Sequence, residues 1–254
     1  MTKIGLPDFD LLVDHEKQRI DKLEWMQSAA KLKFRKHVWH LHPLAIIKNK
    51  IRSQRYRWAH TSFANFLASV ESNNDYSAYN KTTPKLKSFY KTDLTSLTLN
   101  ELMQKQKERE VFAAGRYQII PNTLKDAIMY LSLDISLKFD EETQDRIFDE
   151  YIIRVKRKKF IDYLEGSGSV EDAIYAWSME FASAGVRKGK EISPKLMRDE
   201  NGKIMRDKDG KPIKKRRFAR FEGESYYSGD GLNVAHIMPD KMVEVLEESK
   251  YEMQ

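Results

Sequence analysis

Ala114-Gly115-Arg116-Tyr117-Gln118 is a small-Gly-Arg-Tyr-Gln run entering a helical stretch, and Val70-Glu71-Ser72-Asn73-Asn74-Asp75-Tyr76 stands upstream of it. The upstream stretch sets one Glu at the end of an apolar helix and follows it with a polar Asn-Asn-Asp turn. That helix is expected near 56–70, with Trp58, Phe63, Phe66, Leu67 and Val70 as its inward stripe. Glycoside cleavage needs a proton at the bridging oxygen, and a carboxyl beside apolar surface keeps that proton near neutral pH. Glu71 fits such a position. The plainer reading is a surface Glu that closes a helix, and the local pattern leaves both open.

Working outward, the chain alternates helix starts with polar turns. Thr98 and Glu101 form a capping-box pattern for a helix to about Arg109. Pro121 suits the first turn of the next helix. Asp140-Glu141-Glu142 opens another, which runs to the Gly166-Ser167-Gly168 break, and Ser169 caps one from Val170 to about Ala184. Residues 73–92 read as an irregular or short-stranded hairpin region. A final helix starts at about Pro239. Residues 1–55 read as an N-terminal helical arm, amphipathic over 8–36 and broken at His42-Pro43. Residues 56–254 then form the main domain.

The chain has 254 residues, is 41% hydrophobic and 33% charged, and carries a net charge of +7. No apolar run approaches the roughly 18 residues of a membrane-spanning helix, and the N-terminus lacks the features of a signal peptide. The absence of Cys excludes disulfides, thiolate chemistry and Cys-ligated metals. Arg187 to Arg220 holds 14 basic and 5 acidic residues, so this insertion carries the positive charge. Within it, Met197-Arg198-Asp199-Glu200-Asn201-Gly202-Lys203-Ile204 is echoed by Met205-Arg206-Asp207-Lys208-Asp209-Gly210-Lys211-Pro212, which predicts a β-hairpin or repeated turns. The insertion is either a contact for an anionic polymer, lipid or nucleic acid, or a solvated, mobile excursion. Neither its acidic residues, which lack EF-hand spacing, nor the His37, His40, His42 cluster beside Trp39 is taken as a metal site. No metal or cofactor is expected.

The two opening stretches together resemble the active-site frame of lysozyme-like enzymes that cut bacterial cell-wall glycan, chiefly the lambda-type phage lysozymes and their lytic transglycosylase relatives. In those enzymes a Glu-bearing turn precedes an Ala-Gly-Arg-Tyr-Gln segment and a helix with Gln-Asp; here that pair is Gln144-Asp145. The resemblance covers about residues 58–185. It implies a mainly α, α+β lysozyme-like fold with a small β-hairpin near the Glu, and cleavage of the MurNAc–GlcNAc bond of peptidoglycan with Glu71 as general acid. Gly115 would let the backbone approach the glycan, and Tyr117 and Gln118 would line the groove, the Tyr as a platform. Arg116 would either touch sugar or brace the Glu turn. Gln144 would join the substrate-facing set, with Asp145 supporting it from behind. Tyr226 would close the far end of the groove or pack against the final helix.

Where phage muramidases with a Glu–Asp–Thr triad carry their second acid, this chain has Asn80. Asp75 is the nearest substitute, or else a turn residue bonding its own backbone. With one acid, the sugar's own hydroxyl serves as nucleophile and an anhydro product results. The segment Trp39-His40-Leu41-His42-Pro43-Leu44 is also similar to what precedes wall-hydrolase domains in type VI secretion effectors, which implies an immunity partner or secretion-machine component. A monomer that acts in the periplasm after lysis or secretion is expected. The rival from another class is a nucleic-acid-binding protein that uses residues 187–220.

Overall fold

The computed structural model describes residues 56–80, 93–229 and 234–253. They lie in one of the two units into which the chain divides, residues 53–254. The expected helical arm and the His37–His42 cluster fall outside the described residues, as does most of the expected hairpin region beyond Asn80. Among the described residues no helix is long and apolar enough to cross a membrane.

The fold is mainly helical with small antiparallel sheets, an α+β arrangement. A 3₁₀ turn, Arg57–His60, precedes α1, Ser62–Ser72, instead of one continuous helix. The break is at Thr61, whose backbone is extended. Phe63, Ala64, Leu67 and Ala68 form the buried stripe of α1, while Val70 points outward. The first turn of α1 has no local side-chain cap. The C-terminal helix α7, Pro239–Glu252, supplies partners instead: Ser249 Oγ accepts from the Phe63 N–H at 2.6 Å and Glu252 from the Ser62 N–H at 3.0 Å.

The capping signals in the sequence are realised. Thr98 and Glu101 exchange both capping-box bonds at the start of α2, Leu99–Lys107. α3 spans Pro121–Leu131 with Pro in its first turn, and Asp140 caps α4, Glu141–Arg146. The helix expected to continue to Gly166 does not do so as a plain α-helix. Residues Ile147–Lys156 form a π-helix, and α5 resumes at Lys159–Leu164. Ile147, Phe148 and Asp149 are buried along it, and so are Tyr151, Ile152 and Ile153. Ser169 caps α6, Val170–Glu180, which stops short of Ala184. Phe63 is the hub of the core: its ring lies 5.7 Å from Phe148, 5.1 Å from Phe160 and 4.8 Å from Trp177.

Among the described residues, three two-stranded antiparallel sheets accompany the helices. β1, Tyr79–Asn80, pairs with β2, Ala113–Ala114, so the strand after the Glu71 turn is matched by the segment leading into Gly115. β3, Gly185–Val186, pairs with β6, Glu224–Ser225. β4, Glu191–Leu196, and β5, Lys214–Phe218, form the basic hairpin. Its base rests on a small separate cluster, Val186, Ile192 and Ala219, backed by Tyr175 and Tyr226.

The hairpin tip is the repeated turn that the sequence echo predicts. Asp199 accepts the N–H groups of Asn201 and Lys203, at 3.0 and 2.9 Å; Asp207 accepts those of Asp209 and Lys211, both at 2.9 Å. Gly202 and Gly210 take the left-handed conformation that closes each turn. Met205 donates to Met197, Ile213 to Met205 and Met197 to Ile213, each at 2.9 Å, so the two repeats and the returning strand close a ring of backbone bonds.

Candidate functional site

Glu71 lies in the last turn of α1. The helix ends because Asn73 and Asn74 both adopt left-handed φ, 56° and 59°, which Asn tolerates better than other non-glycine residues. Both of their N–H groups reach back to the Ala68 carbonyl. Asp75 is exposed and its carboxylate accepts the Ser77 N–H at 2.8 Å, so it serves the turn.

The Glu71 carboxyl is half-buried and accepts a hydrogen bond from Ser183 Oγ. Ser183 is itself held by its carbonyl, which accepts the N–H groups of His236 at 2.6 Å and Ile237 at 2.9 Å. Burial pushes the Glu71 carboxyl above the usual carboxylate range; the Ser183 bond and the nearby His236 charge pull it part of the way back. A carboxyl in that state holds a proton where an exposed one has lost it. Neither Ser183 nor His236 carried a sequence signal, because the Ser183–Glu71 contact spans 112 residues.

The segment Ala114–Gln118 lies beside this turn. Ser72 Oγ donates to the Arg116 carbonyl at 2.8 Å, and the Gly115 N–H bonds the Ala78 carbonyl at 2.7 Å. Arg116 is 4% exposed and braces the Glu turn rather than facing solvent. Its guanidinium donates to the Ala59 carbonyl, Tyr76 and Tyr117 hydroxyls, Asn65 and Asn74, at 2.5–3.3 Å. Asp145, fully buried, lies 3.6 Å from Arg116 and 3.4 Å from His60, and accepts from Tyr76 and Tyr117 hydroxyls. The supporting role expected of Asp145 is the one its bonds describe.

Three residues expected to face the glycan do something else. Tyr117 is 1% exposed, stacked on Phe148 at 4.1 Å, and unable to act as a platform. Burial, with Asp145 beside it, pushes its phenol well above its ordinary range, so it remains a neutral donor. Gln144 is fully buried: its Oε1 accepts the Arg116 N–H, and its amide donates to the carbonyls of Tyr76 and Phe139. Gly115 makes room for Gln144 rather than for substrate. A Cβ there would lie 2.6 Å from Gln144 Cδ and 2.9 Å from a Phe139 ring carbon, on a backbone with φ +74°. The segments the sequence pattern singled out do lie together, but their largest side chains face inward because the helices close over them.

Gln118 is the member of the segment that stays half-buried, on a left-handed φ of 46°. With Thr123, Lys156, Arg157, Glu180 and Tyr227 it lines a small cavity of about 70 Å³. Glu71 is not among the lining residues. Tyr226 packs edge-on against Tyr175 and Tyr227, at 6.1 and 5.1 Å, over the base of the hairpin. It is Tyr227 that faces the cavity, its hydroxyl donating to the Met179 carbonyl of α6. Asn80 is exposed at the β1–β2 pair. Among the described residues no group of three or more His, Asp or Glu is placed to hold a metal ion.

No protein-family model, curated protein or solved structure matches this chain.

Proposed function

We propose that residues 56–254 form an enzyme that cleaves the β-1,4 bond between MurNAc and GlcNAc in peptidoglycan, with Glu71 as the general acid. The observation that carries this reading is the Glu71 carboxyl itself. It is half-buried at a helix end, held by Ser183 and biased toward its protonated form. The order of the Glu turn, the Gly-Arg-Tyr-Gln segment and the Gln-Asp helix supports it, and so does the way Arg116 and Gln144 tie those three together.

In this reading Glu71 passes its proton to the bridging oxygen as the bond to C1 breaks. Asn80 has no carboxylate to offer, and Asp75 is engaged in its turn. The C6 hydroxyl of the same MurNAc then attacks C1 and returns its proton to Glu71, which leaves an anhydro-sugar. Water in that role would give the hydrolysed product. The protein would meet murein after lysis or secretion, and a secreted effector would require an immunity partner in the producing cell.

Mass spectrometry of fragments released from murein by the pure protein tests this. Anhydro-ended muropeptides are expected from the wild type, and a drop of at least about 10²-fold from Glu71→Gln, whose amide has no acidic proton. Lytic activity within a few-fold of wild type in that variant overturns the assignment.

A second reading, nucleic-acid binding through residues 187–220, draws on one observation. Arg216 and Arg220 lie over the exposed rings of Phe218 and Phe221, at 5.5 and 5.9 Å. Two such rings make a sparse stacking platform.

A further inference from the structure

The cavity beside Gln118 has a chemistry that the general acid does not use. Lys156 and Arg157, at the end of the π-helix, both pair with Glu180, at 2.6 and 2.8 Å, and no other charged residue lines the cavity. Two cations therefore face one carboxylate, an excess of one positive charge. Arg157 is further occupied, because it donates to the Met179 carbonyl at 2.7 Å. Lys156 donates to Thr123 Oγ1 and to Glu180, both at 2.6 Å, which engages two of the three donors on its ammonium. Glu180 is nearly buried, whereas Lys156 keeps about a quarter of its side chain open. Ile120, Ile152 and Phe181 supply apolar wall. Its volume, about 70 Å³, has room for one small acidic substituent rather than for a whole sugar.

The cavity shares its framework with Glu71. Ser72, the neighbour of Glu71, bonds the Arg116 carbonyl, and Gln118 two residues on lines the cavity. Phe181 lines it too, and Ser183 two residues on donates to Glu71. The same two segments thus border the acid and the cationic cavity.

We propose that this cavity is a carboxylate-binding subsite, with Lys156 as the anchor, for the acidic substituent that a murein strand carries and a neutral chitin-type strand lacks. The proposal rests on the reading of Glu71 as a glycan-cleaving acid and names what selects the glycan. The lactyl group at O3 of MurNAc matches the lining: a carboxylate for Lys156 and a methyl group for the Ile152 and Phe181 wall. The match is to MurNAc whose lactyl carboxylate is free, as in strands stripped of their peptide stems.

The test is a binding ratio, measured in the Glu71→Gln background so that no ligand is consumed. Titration with the disaccharide GlcNAc–MurNAc and with N,N′-diacetylchitobiose should show the acidic sugar binding several-fold tighter, up to about fivefold, the scale of one partly open ion pair. Lys156→Gln should bring the two affinities together, and Lys156→Arg should keep them apart. A ratio taken within one variant is insensitive to a general loss of stability. Equal affinities in the parent protein, or an undiminished preference in Lys156→Gln, overturn the subsite. If the preference holds while Glu71→Gln still cleaves murein, the subsite stands and the reaction assignment falls. If Glu71→Gln is dead and the ratio is one, the reaction stands and the subsite falls.

Discussion

The Arg116 node and the 191–218 hairpin both bind arginines to backbone carbonyls, in opposite ways. In the hairpin, Arg198 and Arg206 each reach the carbonyl four residues on, Gly202 at 2.6 Å and Gly210 at 2.7 Å, at an exposed surface. At the node, the Arg116 guanidinium is buried and gathers acceptors 40 to 57 residues away, save for the adjacent Tyr117. The hairpin closes itself by local turn chemistry, and at its base Ile192 packs with Val186 and Ala219. The node exists only because helices have already packed around it. A local turn survives the loss of one bond, whereas a buried cation cannot be left without partners.

The difference is largest for substitutions at the node. Arg116→Met should destabilise the protein by about 3–5 kcal/mol, the scale for breaking a buried charge network, since Asp145 would remain buried without its guanidinium neighbour. Thermal or denaturant unfolding checks this. A loss under about 1 kcal/mol would show that the node is no more demanding than the hairpin.

Ser183→Ala acts at the edge of the node and is read through pH. The general acid works only when protonated, so the rate should fall as pH rises through the Glu71 pKa. The Ser183 bond favours the charged form, and removing it should move that alkaline limb to higher pH. The raised pKa also links to stability. Its contribution is fully present below the unfolded carboxylate value and is lost as pH rises through the folded one, so Glu71→Gln should flatten that part of the stability profile. A limb that stays put or moves to lower pH in Ser183→Ala contradicts the role of this bond.

Replacement of Arg198–Pro212 by an Asn-Gly turn should change stability least, by about 1 kcal/mol or less, because Met197 and Ile213 stay paired and the base cluster is untouched. Cleavage of soluble glycan fragments should persist while binding to intact wall weakens. Electrostatic attraction is screened over about 8 Å at physiological salt, so the full-length protein should lose wall activity as salt rises and the shortened one should respond less. Collapse of the shortened protein would make the hairpin part of the folded core.

Local chemistry wrote some of this protein directly into its sequence. The capping box at Thr98–Glu101, the caps at Asp140 and Ser169, Pro121 in its first turn, and the twice-repeated Asp-to-Gly turn all follow from residues within a few positions of one another. Glu71 at a helix end was legible for the same reason. Tertiary packing alone decided the rest. It capped α1 with Ser249 and Glu252 from the far end of the chain, and turned Tyr117 and Gln144 inward to hold Arg116. It also brought Ser183 to Glu71 and two cations to Glu180. Side-chain type sets what a group is able to bond, but burial and partners from distant segments set whether it meets substrate, solvent or the core.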